Sequence, residues 1–102
     1  MAQVVVTGTA FSDYSRILFR LARDAGHITA AKYDDNFKEL LDRLAEFPGI
    51  GAPRPKLGRR IRIGIVYPYL IVYRVSDNAD TVTVIRILDG RRKITRKLIS
   101  PQ

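Results

Sequence analysis

The residues best suited to chemistry form a basic cluster close to the C-terminus. The segment from Gly90 to Gln102 reads GRRKITRKLISPQ and contains no acidic residue. Its five cationic side chains are those of Arg91, Arg92, Lys93, Arg96 and Lys97. Guanidinium and ammonium groups bind phosphates and carboxylates, so the cluster predicts a surface for an anionic partner. A tail that is merely solvated is the alternative.

A second pair of arginines lies on a segment with strand periodicity. Residues 59–66 alternate strictly: Ile61, Ile63 and Ile65 fall on one side, and Arg60, Arg62 and Gly64 on the other. This alternation predicts a half-buried strand with an arginine-bearing face. Arg60 and Arg62 are therefore further candidates for binding a target, with plain surface exposure as the alternative.

Groups that could transfer a proton are scarce beside these cations. The chain has no cysteine and a single histidine, His27, which excludes thiol catalysis and cysteine-ligated zinc. No Tyr, His or Phe follows Tyr73. Arginine, with a pKa above about 12, is a poor general base near neutral pH. We therefore expect no catalytic residue, no metal site and no cofactor.

Charge is distributed unevenly along the 102 residues. Residues 1–51 carry six Lys/Arg against seven Asp/Glu, whereas residues 52–102 carry twelve against three. The first half thus has a net charge of −1 and the second half of +9. Such asymmetry indicates an anionic partner at the C-terminal half, either nucleic acid, an acidic protein or a protein–DNA complex.

The apolar runs of the sequence are too short for a secretory signal or a membrane-spanning helix, and this predicts where the protein is located in the cell. The N-terminal MAQVVVTGTAFS has neither the basic start nor the long apolar run of a secretory signal. The uncharged stretch from Ile63 to Tyr73 has eleven residues, whereas a spanning helix needs about 20. We expect a cytoplasmic protein of one domain, residues 1–102, without membrane contact.

The N-terminal half is predicted to be a strand followed by two helices. QVVVT at Gln3–Thr7 favours an edge strand, and Thr9 is a candidate cap for a helix over Ala10–Ala25, with Asp13 in its first turn. Thr29 is the candidate cap of a second amphipathic helix. The apolar stripe of that helix contains Tyr33, Phe37, Leu40, Leu41, Leu44 and Phe47, and Pro48-Gly49 ends it. The short link between the helices predicts an antiparallel hairpin.

Two β-rich runs, Tyr69–Val75 and Thr81–Leu88, are predicted to form a hairpin. Pairing Arg74 with Thr83 places one apolar set toward the helices: Tyr69, Ile71, Tyr73, Val75, Val82, Val84, Arg86 and Leu88. On this face Arg86 is expected to pair with an acid such as Asp89 or a helix carboxylate. The opposite face carries a patch of Leu70, Val72, Ile85 and Ile87, covered either by a partner or by Ile94 and Leu98 of the tail.

The predicted fold class is α+β, with an N-terminal strand and an antiparallel helical hairpin packed on a small, mainly antiparallel sheet. Two stretches, Pro68–Val75 and Val84–Arg92, resemble the C-terminal half of toxins of the RelE/ParE superfamily. Upstream, Thr9-Ala10, Ile17-Leu18, Phe47–Gly51 and Arg60–Arg62 fall where that family places its helices, loop and second strand. The resemblance spans nearly the whole chain.

The resemblance implies the toxin of a type II toxin–antitoxin system. RelE-type members cut messenger RNA on the ribosome. Their strand arginine is replaced here by Leu70 and their C-terminal aromatic by Leu98, although the arginine of their Gly-Lys-Arg-type motif is kept as Arg92. The chain therefore resembles ParE-type members more closely. Those members are not known as nucleases; they inhibit DNA gyrase and trap its complex with cleaved DNA. A ribosome-dependent endonuclease, or a toxin that has lost its activity, is the alternative.

This resemblance also implies the partners. A ParD-like antitoxin in a hetero-oligomer is expected to contact Leu70, Val72, Ile85 and Ile87. The target is expected to be DNA gyrase, contacted by Arg60, Arg62, Arg91, Arg92, Lys93, Arg96 and Lys97. DNA is expected to be met only indirectly, through the antitoxin or gyrase.

Overall fold

A computed structural model describes residues 1–99 and shows the predicted α+β architecture. Two long helices pack on one face of a five-stranded sheet, and a short third helix lies near the C-terminus. The elements are β1 (Gln3–Val6), α1 (Gly8–Ala25), α2 (His27–Glu46), β2 (Ala52–Pro53), β3 (Ile61–Val66), β4 (Tyr69–Val75), β5 (Thr81–Asp89) and α3 (Arg96–Ile99). Within the described part of the chain, no helix is long and apolar enough to cross a membrane.

The sheet has the strand order β1-β5-β4-β3-β2. β1 runs parallel to β5, with Gln3 opposite Thr81 and Val6 opposite Val84. The other neighbours are antiparallel, including the hairpin of β4 and β5. β1 is the edge strand that the sequence predicts, because its partner β5 already pairs with β4 on the other side.

The helix starts differ from those predicted. Thr7, not Thr9, caps α1, and its Oγ1 accepts a hydrogen bond from the Ala10 backbone N–H at 3.1 Å. Asp13 consequently lies beyond the first turn of α1. α2 begins at His27 directly after Gly26, whose φ of 93° turns the chain, and no side chain caps it. Gly26 tolerates this left-handed conformation because it has no side chain, and Thr29, the predicted cap, lies inside α2.

The main core lies between the helical hairpin and the sheet. Its buried members are Ala10, Ile17, Phe37, Leu44, Val66, Tyr69, Ile71, Tyr73, Val75, Val82, Val84 and Ile87. The Tyr14 and Phe37 rings meet edge to face at 5.4 Å and join α1 to α2. Tyr33 meets Tyr69 in the same way at 5.8 Å and joins α2 to the sheet. The apolar helix stripes thus position the sheet from one side.

A β-bulge corrects the predicted faces of the hairpin. Arg74 pairs with Thr83 as predicted, but the register shifts so that Val72 pairs with Arg86 and Ile71 with Ile87. An extra residue in one strand reverses the faces beyond it. Ile87 therefore packs in the helix-side core, whereas Leu88 and Arg86, which is opposite Val72, lie on the other face. This is the reverse of the prediction for all three residues.

The opposite sheet face carries a second core, which the tail of the chain covers. Its buried members are Ile61, Ile63, Val72, Leu88 and Ile99, with Leu57, Leu70, Ile85, Ile94 and Leu98 packed against them. Of the two predicted covers for this face, the structure shows the chain's own tail. α3 is the element that brings Ile99 and Leu98 onto the sheet.

Candidate functional site

The predicted basic residues fall into two groups at different places on the sheet. Arg62 is opposite Tyr73, whereas Asp89, at the start of the basic tail, is opposite Tyr69. Tyr69 and Tyr73 are four residues apart along β4, which corresponds to about 14 Å at the rise of an extended strand. The structure therefore does not bring Arg62 and the tail cations into a single site.

Arg62 has structural partners. Its Nη1 donates to the backbone carbonyls of Gly49 at 2.9 Å and Gly51 at 2.6 Å. Tyr73 holds the same loop: its hydroxyl donates to the Pro48 carbonyl at 2.8 Å and accepts from the Gly51 N–H at 2.9 Å. A Cβ at Gly51 would stand 2.5 Å from that hydroxyl, so this position requires glycine. Arg62 and Tyr73 together fix the loop after α2.

Arg60 lies just before β3, in a left-handed backbone conformation with φ of 60°. Its Nε is 2.8 Å from a carboxylate oxygen of Asp77, and an Arg59 guanidinium nitrogen is 3.7 Å from the same oxygen. All three side chains are exposed, so these ion pairs contribute little to stability. The positive charge of Arg60 therefore remains accessible to a binding partner, although the neighbouring Asp77 carboxylate partly offsets it.

The cations of the C-terminal cluster begin at the turn after β5. Arg91 is clamped by Asp89, with guanidinium–carboxylate distances of 2.6 and 3.0 Å and a backbone N–H bond of 2.9 Å. These hydrogen bonds hold the pKa of Asp89 well below its ordinary range. Arg92, Lys93, Arg96 and Lys97 are exposed. Within this cluster, Arg91 is thus neutralised by the neighbouring carboxylate of Asp89.

The tyrosines near these cations are unsuited to proton transfer. Tyr73 is fully buried and Tyr69 is 8% exposed. Burial raises the pKa of both phenols above the ordinary value. The Tyr73 hydroxyl is also occupied by the two backbone bonds to the loop after α2. Neither phenol is placed to remove a proton from a bound substrate.

The four residues predicted to contact an antitoxin are unequally accessible. Val72 is fully buried beneath the tail, and Ile87 is 5% exposed on the helix side of the sheet. Leu70 and Ile85 are half-buried beside Ile94 and Leu98. These four residues therefore do not form the predicted continuous patch, because the bulge places Ile87 on the other sheet face and the tail covers the remaining three.

Comparison with known proteins identifies the family. Residues 4–94 match the model of a family described as ParE toxin of type II toxin–antitoxin system, parDE. The chain belongs to this family. Toxin ParE3 of Caulobacter vibrioides is 29% identical over 98 residues, which cover 96% of each chain. The family membership confirms the RelE/ParE resemblance and establishes the chain as a type II toxin of the ParE kind.

Solved structures share the fold of this ParE family member. A chain of the chromosomal ParDE system of P. aeruginosa is 22% identical, with a TM-score of 0.71 over 87% of this chain and 96% of that one. A chain of the intact E. coli RelBE toxin–antitoxin complex is 19% identical, with a TM-score of 0.62 over 90% and 100%. At these identities the likeness shows the fold alone, which agrees with the predicted architecture.

Three further residues of this ParE family member acquire significance only in the structure. Asp13 of α1 is 4% exposed and bonds the Arg86 guanidinium through two contacts of 2.7 and 3.0 Å. This pairing confirms the expected helix carboxylate as partner of Arg86. Arg16 and Arg20 lie one turn apart on α1 and border the same groove as Arg91 and Arg92. Their spacing is visible in the sequence, but the proximity of helix and tail is not.

Proposed function

We propose that this ParE family member inhibits DNA gyrase by binding it and has no catalytic activity of its own. The observation that carries the proposal is the match to the ParE toxin family over residues 4–94. The accessible cations of the C-terminal half support it, because they form a surface suited to an acidic protein or a protein–DNA complex. Arg60, Arg91, Arg92, Lys93, Arg96 and Lys97 remain candidates for that contact.

The absence of a suitable base at the described cations supports action without catalysis. RNA cleavage requires a group that removes the 2′-OH proton. Asp89 is bound to Arg91 and has a lowered pKa, so its carboxylate is a weak base. Tyr69 and Tyr73 are buried, and His27 lies at the joint between the two long helices. Arginines alone stabilise a phosphate charge without transferring protons.

A ParD-like antitoxin is proposed as the neutralising partner. An apolar groove of about 200 Å³ lies where α1 and α2 meet the sheet near the end of β1. It is lined by Val6, Phe11, Tyr14, Phe37, Lys38, Leu41, Ile71, Val84 and Ile87. Phe11 is 61% exposed at this groove. An amphipathic antitoxin segment that buries its apolar side chains there is the helix-in-groove mode of recognition.

Leu70, Val72, Ile85 and Ile87, the four residues predicted to contact the antitoxin, remain part of this proposal, but not all of them are accessible while the tail covers the sheet. Leu70 and Ile85 are half-buried and within reach at the margin of the tail. Contact with Val72 requires the tail to leave the sheet face, because Ile94, Leu98 and Ile99 share its cluster. Ile87 is proposed to meet the antitoxin from the helix side, where it lines the apolar groove.

The test is a supercoiling assay with purified gyrase, relaxed plasmid and ATP, with the chain added in increasing amounts. We expect supercoiling to be lost as the chain approaches the concentration of gyrase. A cell-free translation reaction receives the same amounts and is expected to continue, with intact transcripts. Uninhibited gyrase together with cleaved transcripts would contradict the proposal and establish the ribosome-dependent endonuclease instead.

A further inference from the structure

An open groove of about 380 Å³ lies between α1 and the turn after β5. Four arginines border it: Arg16 and Arg20 from α1, and Arg91 and Arg92 from the turn. Its remaining lining residues are Asp13, Ile17, Ile87, Leu88 and Asp89. The groove shares Ile87 with the apolar groove near β1, which opens beside Phe11 instead of beside these arginines.

The two carboxylates of this groove are already occupied. Asp13 bonds Arg86 at 2.7 and 3.0 Å and Arg16 at 3.3 Å, and Asp89 is bound by Arg91. Among the ion pairs of residues 1–99, none involves Arg20 or Arg92. Both side chains belong to exposed residues. The groove therefore offers an excess of positive charge, with two guanidinium groups, those of Arg20 and Arg92, outside these ion pairs.

The strand edge beside the groove is closed to an added peptide strand. β1 ends opposite Val84, so β5 has no neighbouring strand on that side from Ile85 onward. The Thr7 hydroxyl donates to the Ile85 carbonyl at 3.1 Å, and the Asp13 carboxylate accepts from the Ile87 N–H at 3.0 Å. These side chains take up backbone groups that a peptide would need for strand addition.

The groove also lacks an apolar anchor point. Its apolar lining consists of Ile17, Ile87 and Leu88, which are 4%, 5% and 2% exposed. Protein segments that dock in grooves depend on buried aromatic or aliphatic anchors. Nucleic acid backbones bind through arginine and lysine contacts and the release of counterions, with no apolar contribution needed. The observations therefore favour phosphate over an acidic protein segment.

We propose that this arginine groove binds the phosphodiester backbone of nucleic acid directly, with Arg20 and Arg92 contacting phosphates and Arg16 and Arg91 flanking them. The binding is independent of base sequence, because backbone contacts carry no sequence information. This inference goes beyond gyrase inhibition and departs from the expectation that the chain meets DNA only through other proteins. It concerns the isolated chain and a naked duplex.

The test measures binding of a fluorescent 20-base-pair duplex by anisotropy over a series of salt concentrations, without gyrase. The groove variant carries Arg20→Gln and Arg92→Gln. The matched control carries Lys32→Gln and Arg43→Gln, which remove two exposed charges from α2. Each lost phosphate contact reduces the slope of log affinity against log salt by about 0.9. We expect a reduction of roughly 1.8 for the groove variant and a much smaller one for the control.

Equal slopes for the two variants would overturn the proposal, because binding would then follow net charge rather than this groove. Polyglutamate is titrated as a competitor of the same charge type. Tighter binding of polyglutamate than of duplex by the wild-type chain, lost in the groove variant, would also overturn it and assign the groove to an acidic protein. Thermal melting of both variants confirms that each is folded. A negative result leaves the gyrase proposal intact, since no gyrase is present.

Discussion

Asp13 and Arg86 join three parts of the molecule through one ion pair. Asp13 contributes from α1, accepts from the Ile87 backbone N–H in β5, and faces the Arg86 guanidinium. Arg86 in turn donates to the Leu98 carbonyl of the tail at 2.9 Å. The side chains are 5% and 17% exposed. Removing one member of such a buried ion pair is costly, because the other member then keeps a buried charge without a partner.

Replacing Asp13 with Asn is expected to lower the free energy of unfolding by about 3 kcal/mol. The amide keeps the shape but loses the charge that Arg86 and the Ile87 N–H require. Urea unfolding followed by circular dichroism measures the change. The control is Arg16→Gln, which removes the exposed partner of Asp13 and is expected to cost less than about 1 kcal/mol. Similar losses in the two variants would show that the pair has no special structural role.

Residue types were more predictable than residue partners. The sequence shows that Arg86 lies in an apolar strand and predicts an acidic partner for it, but it places Asp13 only near the start of α1. Their meeting depends on the packing of α1 beside β5, which no local pattern encodes. Arg62 illustrates the same limit: alternation places it on a strand face correctly, but its bonds to Gly49 and Gly51 depend on the path of the loop.

Both long helices and four of the five strands, the edge strand β1 together with β3, β4 and β5, follow from periodicity and β-branched runs in the sequence. The β-bulge cannot be predicted in the same way. Because β5 carries apolar residues on both faces, its sequence pattern does not reveal an inserted residue. The bulge nevertheless exchanges the faces of Ile87 and Leu88. α3 is equally hidden, since four residues give no measurable helical period.

The tail is expected to stabilise the sheet face that it covers. Replacing Leu98 and Ile99 together with Ala should lower the free energy of unfolding by about 3 kcal/mol, because buried methyl groups are lost from the second core. The dye ANS should bind more strongly as Val72 becomes accessible. Lys97→Ala, on the same helix but exposed, is the control and should change neither measurement. Unchanged dye binding in the double variant would contradict the assigned cover.

The apolar groove between the helices and sheet predicts which phenylalanine meets the antitoxin. Phe11 lines the groove, whereas Phe19 on the same helix does not. Their exposures, 61% and 68%, are similar. Phe11→Glu should weaken binding of a ParD-like antitoxin at least tenfold, because it places a charge in an apolar contact. Phe19→Glu should leave the affinity, measured by calorimetry, within about twofold of the wild type. The reverse order would place the antitoxin elsewhere.

The whole molecule separates its apolar and basic surfaces. The apolar groove opens near the end of β1, the arginine groove lies beside the exit of β5, and Arg60 stands near the hairpin turn with Asp77. The sequence predicts the charge excess of its C-terminal half but not this division, which arises when the sheet order places β5 between β1 and β4. In the proposed function, the antitoxin and the negatively charged target therefore meet different surfaces of the toxin.

The proposed inhibition of gyrase includes trapping of its complex with cleaved DNA, as the ParE resemblance implies. Its most direct measurement is the amount of linear plasmid formed when gyrase, supercoiled DNA, ATP and the chain are incubated and then treated with detergent and protease. We expect linear DNA to accumulate with increasing amounts of the chain and to disappear when a cognate antitoxin is added first. The absence of linear DNA at excess chain, with supercoiling activity undiminished, would contradict it.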